Sequence, residues 1–247
     1  MISKPKQQGF TLVEIAIVLV IIGLLLGGIL KGQELITAAR VRNLADQTAG
    51  IQAAYYGFLD RYRAVPGDML PAQACGAIGN EVPTCPGTGV GGNGNGTIDP
   101  VLDGPGVWAE AAAAWAHMAA AGFLQGRYPG TASAATYATA APTPAAPTNP
   151  WNGFLLLGRT PDYMAPATSP TPPPRLHLIT GRNVPVNIMR ELDVKVDDSL
   201  PESGILRSAP QNATGFPTVG GSDPLCVTAG IWNIAANPTD CNGYYLY

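Results

Sequence analysis

The chain has 247 residues, 13% of them charged, and a formal net charge of -3, so no basic face advertises nucleic-acid binding through bulk electrostatics. Its 30 glycines and 24 prolines make about a fifth of the chain, short of a disordered polymer but enough to imply many loops. The length suits one domain plus an anchor, and an alanine-rich, weakly charged composition fits a secreted surface protein better than a cytosolic enzyme.

The first predicted element is apolar. From Phe10 to Leu30 there is one charge, Glu14, in a run long enough to cross a bilayer core of about 30 Å as a helix. A carboxylate in such a span costs on the order of 2.5 to 3.5 kcal/mol at the helix centre and is usually kept because it pairs with something. A cut after Gly9 would leave the α-amino group of Phe10 one helical turn before Glu14, with the positive end of the helix dipole beside the carboxylate. The partner amine can belong to the same chain or to a neighbour. An ordinary secretory signal has a shorter apolar core and a small-residue cleavage site; this run is longer and is followed by Lys31-Gly32-Gln33-Glu34.

Lys4 and Lys6 in a short polar leader, then Gly9, Phe10, Thr11, Leu12, Val13 and Glu14 ahead of the apolar run, resemble the processing and methylation signal of type IV prepilins and type II secretion pseudopilins. The resemblance implies that a prepilin peptidase cuts after Gly9 and methylates Phe10. It also implies that Glu14 guides assembly by meeting a neighbouring subunit's N-terminal amine. The implied partners are that peptidase, other pilin or pseudopilin subunits, an inner-membrane assembly platform and the lipid bilayer. The implied location is the inner membrane, crossed once with a short cytoplasmic leader and a periplasmic head, followed by an extracellular or periplasmic filament.

The helix is expected to continue past the membrane. Leu35, Ala38, Val41, Leu44, Ala45, Ile51, Tyr55, Phe58, Leu59 and Tyr62 recur at spacings of three and four, with Arg40, Asp46, Gln47 and Asp60 on the other side, which is one face of an amphipathic helix. The pattern stops at Pro66-Gly67, whose proline disfavours helix at Val65. One helix from about Phe10 to Arg63 would be roughly 80 Å long. Within it, Gly23, Gly27, Gly28 and Gly32 each lower helix propensity by about 1 kcal/mol; they permit close helix packing, allow local extension, or are merely tolerated.

The cysteines, Cys75, Cys85, Cys226 and Cys241, all follow the apolar segment, where the chain faces an oxidising compartment. Three pairings are open. The local ones, Cys75 with Cys85 and Cys226 with Cys241, are favoured because each brackets a loop rich in Gly, Pro or Asn. The second of these loops resembles the disulfide-bounded C-terminal region of type IV pilins.

Residues 64–107 read as a long connection that includes Gly91-Gly92-Asn93-Gly94-Asn95-Gly96-Thr97-Ile98-Asp99. Oxygen-bearing side chains alternate with glycine there, as in calcium loops, and the stretch resembles calcium-loop regions of some pseudopilins and pilins. Calcium ligands at Asn93, Asn95, Asp99 and Asp103 are therefore one expectation. A glycine-rich loop that binds nothing is the other, because Gly104, not glutamate, stands at the twelfth position from Asn93.

A second helix is expected over 106–122, opened by Pro105 and closed by Gly122, with Trp108, Ala112, Trp115 and Ala119 as a core stripe and His117 partly buried beside it. Residues 130–150 and 165–174 are rich in Thr, Ala, Pro and Ser and should run extended over the surface. Strands are expected over 151–158 and 176–180; over Val184–Asp198, Ile188, Leu192 and Val196 fit a helical face while Leu192, Val194 and Val196 equally fit a strand, and the helix is preferred because Pro185 can open it and Asp197-Asp198-Ser199 can end it. Asp193, Asp197 and Asp198 have two readings, catalytic or metal-binding acids and, the favoured one, surface charges that pair with Lys195 or cap that helix.

The sequence thus predicts an α+β, pilin-like fold: a leader (1–9), a membrane or filament-core half-helix (10–31), an amphipathic half-helix (32–63), and a head (64–247) with a small antiparallel sheet, extra helices and long loops. No nucleophile motif, phosphate loop or zinc spacing stands out, so the expected role is structural, with no catalytic residues. The alternatives are a type II secretion pseudopilin, a minor pilin in adhesion or DNA uptake, and a binding protein or enzyme held in the periplasm on an uncleaved anchor.

Overall fold

The structure, a computed structural model, describes residues 11–87, 89–99, 109–132, 145–166, 172–210 and 223–247. It divides into two compact units, Met1–Arg40 and Val41–Tyr247. Helix α1 runs Leu12–Tyr62 and contributes to both.

In the first unit α1 buries almost nothing of itself. Leu12, Val13, Ile15, Ile17, Leu24 and Leu30 are all exposed, and by length and composition this helix is able to cross a membrane. In the second unit the same helix turns one face inward through Val41, Leu44, Thr48, Ile51, Ala54, Tyr55 and Phe58, the three-and-four spacing of an amphipathic stripe. It ends at Tyr62: Arg63 takes a left-handed conformation (φ 53°), and Pro66 disfavours further helix before it.

The connection after α1 is more ordered than a plain loop. It contains α2, Pro71–Ala77, with proline in its first turn and Cys75 bonded to Cys85. Helix α3 spans Ala109–Ala120, and every residue from Glu110 to Met118 is buried, which suits an alanine-rich helix surrounded by its own head. The carboxyl end closes as a Schellman turn: the Gly122 N–H (φ +82°) donates to the Ala119 carbonyl and the Phe123 N–H to that of Met118. Pro105, Gly106 and Trp108 lie outside the described residues, as do residues 133–144 of the Thr- and Ala-rich stretch and residues 167–171 of the proline-rich one.

The main sheet is antiparallel, in the order β1-β2-β6-β3, from β1 (Leu156–Thr160), β2 (Arg175–Ile179), β3 (Leu206–Ser208) and β6 (Gly243–Leu246). Leu157 pairs with Leu178, Leu178 with Tyr245, and Tyr245 with Leu206, so the C-terminal strand lies inside the sheet. The strand expected over 151–158 starts late because Asn149 organises a turn first. Its Oδ1 accepts the N–H groups of Trp151 (2.8 Å) and Gly153 (2.9 Å), while its Nδ2 donates to the carbonyls of Thr180 (2.8 Å) and Arg182 (3.0 Å).

Helix α4, Val186–Val196, packs on the sheet so closely that a Cβ at Gly243 would meet Met189 and Leu206. A small hairpin, β4 (Val227–Thr228) and β5 (Ile231–Trp232), turns through Ala229 (φ 51°) and Gly230 (φ 74°). Two consecutive left-handed residues are what a tight type I′ hairpin needs. Cys226 at its foot is bonded to Cys241.

Candidate functional site

The start of α1 carries a reciprocal cap. The Thr11 backbone N–H and hydroxyl both donate to Glu14 Oε2 at 2.9 Å, and the Glu14 N–H donates to Thr11 Oγ1 at 3.3 Å. This is the Thr-x-x-Glu capping box, which satisfies donors that a helix start leaves free. Within the chain, therefore, the one carboxylate of the apolar span is held by its own helix. Gly9 and Phe10 lie outside the described residues. The glycines at 23, 27, 28 and 32 are helical, and a Cβ added to any of them would meet nothing within 4 Å, so packing within the chain gives no reason for them.

The glycine-rich loop wraps two buried carboxylates, Asp68 and Glu110, neither of which was expected to hold it. Asp68 Oδ1 accepts the N–H groups of Gly94 (2.8 Å) and Asn95 (3.0 Å), and Oδ2 that of Gly96 (2.7 Å). Glu110 Oε1 accepts the Asn93 N–H (3.0 Å) and Oε2 the Asp99 N–H (2.6 Å). Burial still holds the Glu110 carboxyl above its usual range, against those two amides. The signals that could have found this site are Asp68 directly after Pro66-Gly67, and an acid within the first turn of an otherwise apolar helix.

Of the four expected calcium ligands, three are brought together. Asn95 Nδ2 donates to Asp99 Oδ2 at 2.6 Å, Asn93 Nδ2 approaches the same oxygen at 3.4 Å, and Thr97 Oγ1 donates to Asp99 Oδ1 at 2.7 Å. Asp103 lies outside the described residues. The Asp99 carboxylate is thus engaged by neighbouring donors of its own loop.

Neither histidine lies at a surface. His117 is fully buried, not partly so as expected, because α3 is enclosed on all sides. Its Nδ1 accepts the Gly67 N–H at 3.0 Å and its Nε2 lies 2.8 Å from the Val90 carbonyl. The pair fixes a neutral imidazole with the proton on Nε2, and burial holds its pKa below the usual value. His177 is buried against the Tyr244 ring (4.6 Å), and burial pushes its pKa down to about 3.

The acids of the 184–198 segment are not uniformly surface charges. Lys195 pairs with Glu191 at 2.8 Å instead. Asp193 is fully buried and its Oδ2 accepts the Trp232 indole N–H at 2.6 Å, whereas Asp197 and Asp198 take up loop donors beyond the helix end. Asp240 binds Arg182 and the Asn183 N–H (2.8 Å), next to Cys241 in sequence.

Comparison with known proteins bears on the amino end. Neither the curated proteins nor the solved structures compared with the chain gave a match. The family model of the prokaryotic N-terminal methylation motif matches residues 4–30, which include the capped start of α1 and the exposed apolar run behind it. By that match the chain carries the signature of type IV prepilins and pseudopilins.

Proposed function

We propose that the chain is a structural pilin subunit of a type IV pilus-like filament, cut after Gly9 and methylated at Phe10 by a prepilin peptidase. The observation that carries this reading is the exposed apolar surface of α1 from Leu12 to Leu30, interrupted near its start by a single acid. Lipid covers such a surface before assembly. Outside the membrane it must be covered by other subunits, since fully burying one Leu, Ile or Val side chain is worth about 1.5 to 3 kcal/mol.

In this reading Glu14 exchanges partners. In the lone subunit Thr11 satisfies it; in the filament the amine of a neighbour's Phe10 offers a charged donor, which binds more strongly than a neutral one in a low-dielectric setting. The inner-membrane assembly platform and the peptidase are the transient partners. The head, periplasmic before assembly, forms the outer surface. The bonded loop between Cys226 and Cys241 favours a pilin over a secretion pseudopilin.

The test is the N-terminal mass of the protein recovered from sheared surface material and from the envelope. N-methylated Phe10 in sheared filaments supports the surface pilin. The same terminus confined to the envelope favours a pseudopilin or a minor subunit, and an intact leader overturns the whole reading.

A further inference from the structure

We propose that Asp193, Asp197 and Asp198 form a calcium site where α4 ends. One carboxylate oxygen from each lies within 4.8 Å of the other two. Two ligand oxygens about 2.4 Å from one ion are at most about 4.8 Å apart, so each pair among the three lies within the span that a single cation bridges.

The second observation is the state of Asp193. The residue is fully buried, Trp232 occupies Oδ2, and Oδ1 has no hydrogen-bond partner. A buried carboxylate oxygen with nothing to bind is costly, and burial of a charge is tolerated where it is paired or coordinates a metal. Three acids therefore converge where α4 ends.

Nearby cations are otherwise engaged. Lys195 is held by Glu191. Arg207, which acts on Asp198, donates Nε to the Gly204 carbonyl at 3.1 Å and lies over the Tyr163 ring. Among the described residues no ion pair reaches Asp193, Asp197 or Asp198.

The donors present are all oxygen, which selects a hard cation, and no thiolate or imidazole is offered that would suit zinc. Calcium accepts six to eight oxygens in irregular geometry, whereas magnesium demands a near-ideal octahedron and usually takes only one or two carboxylates. The Leu200 N–H (2.9 Å) and Ser203 hydroxyl (2.5 Å) on Asp198, and the Ile205 N–H on Asp197, hold both side chains in place. Through the Trp232 bond, an ion here would fasten the end of α4 to the β4–β5 hairpin. This site is independent of the filament reading.

The experiment uses the full-length protein in detergent, stripped with chelator and titrated with terbium, a luminescent calcium mimic excited through tryptophan. Emission should saturate at one ion per chain and be displaced by calcium. Asp198→Asn, at an exposed position, should weaken binding at least about tenfold while circular dichroism stays native. Asp99→Asn, in the glycine-rich loop, should change nothing, and Trp232→Phe should dim the emission while calcium binding measured by calorimetry persists. The proposal is overturned if neither terbium nor calcium binds, if Asp99→Asn abolishes binding while Asp198→Asn leaves it intact, or if magnesium or zinc outcompetes calcium.

Discussion

His117 ties α3 to the turn after α1: its Nδ1 accepts the Gly67 N–H at 3.0 Å while its Nε2 reaches the Val90 carbonyl at 2.8 Å. Protonation would place a proton on Nδ1 and break the first bond, so the fold demands the neutral ring. Burial depresses the pKa of His117, and pushes that of His177 down to about 3, from 6.5 in the unfolded chain. Below pH 6.5 the unfolded chain takes up protons that the folded one refuses, so stability falls with pH, by up to about 1.4 kcal/mol per pH unit for each histidine. The raised carboxyls of Asp193 and Glu110 act oppositely: the folded chain keeps their protons as pH rises past the ordinary carboxylate range, so both lower stability as pH rises there, Asp193 up to about pH 6. His117→Gln separates the two effects, because glutamine can both accept from Gly67 and donate to Val90 but does not titrate. The difference in urea-unfolding free energy between wild type and His117→Gln should change with pH below 6.5 and be flat above it; a flat difference throughout sinks the argument.

Asp68 should matter more than any residue of the loop it holds. One carboxylate serves three successive amides, Gly94, Asn95 and Gly96, and hydrogen bonds to a charged group contribute about 1.5 to 3 kcal/mol where neutral ones give about 1. Asp68→Asn presents an N–H₂ group to at least one of these amides, and we expect a loss of about 3 kcal/mol by denaturant unfolding. Hydrogen exchange at residues 94–96 should accelerate at the same time. Native protection there in the variant would show that the loop is held by something else.

The legible parts of the fold were those with a strong period or a strong stop. The stripe from Val41 to Phe58, the helix over 186–196, and the closure of α3 at Gly122 are written in spacing, proline and glycine. What escaped depends on tertiary enclosure. His117 lies on a helix whose alanines look only moderately apolar, and full burial follows from what surrounds α3, which no local pattern encodes. Asp193 likewise sits among helix-surface acids in sequence, and only the arrival of Trp232 on a hairpin 39 residues later makes it an interior group. The Asn149 turn delayed β1 for the same reason, since its partners Thr180 and Arg182 are remote in sequence. At the amino end Glu14 was readable as a charge in need of a partner, yet the partner within the subunit is Thr11.

Glu14 thus has two candidate duties, capping α1 and pairing with another subunit, and two substitutions separate them. Glu14→Gln keeps the capping box, since glutamine serves at that position, but removes the charge. Thr11→Val removes the cap, at a cost of about 1 kcal/mol of helix stability, and keeps the charge. If Glu14 pairs with a neighbouring amine, Glu14→Gln protein is cut normally but yields few or no filaments in sheared fractions, whereas Thr11→Val still assembles. Equal, mild defects in both variants would assign Glu14 to capping alone.

The Cys226–Cys241 bond should stabilise the head beyond the loop it closes. The two cysteines are 15 residues apart, for which lost chain entropy in the unfolded state is worth about 3 kcal/mol. The loop also contains the hairpin that delivers Trp232 to Asp193, and Cys241 bridges back to Val184 just before α4. A double Cys226→Ser, Cys241→Ser variant should therefore lose about 3 kcal/mol and show a changed near-ultraviolet tryptophan signal. The double serine variant at Cys75 and Cys85, whose bond spans 10 residues on the α2 side, should lose a similar amount from chain entropy without that spectral change. If both variants alter the tryptophan signal alike, the hairpin is not held specifically by the C-terminal bond.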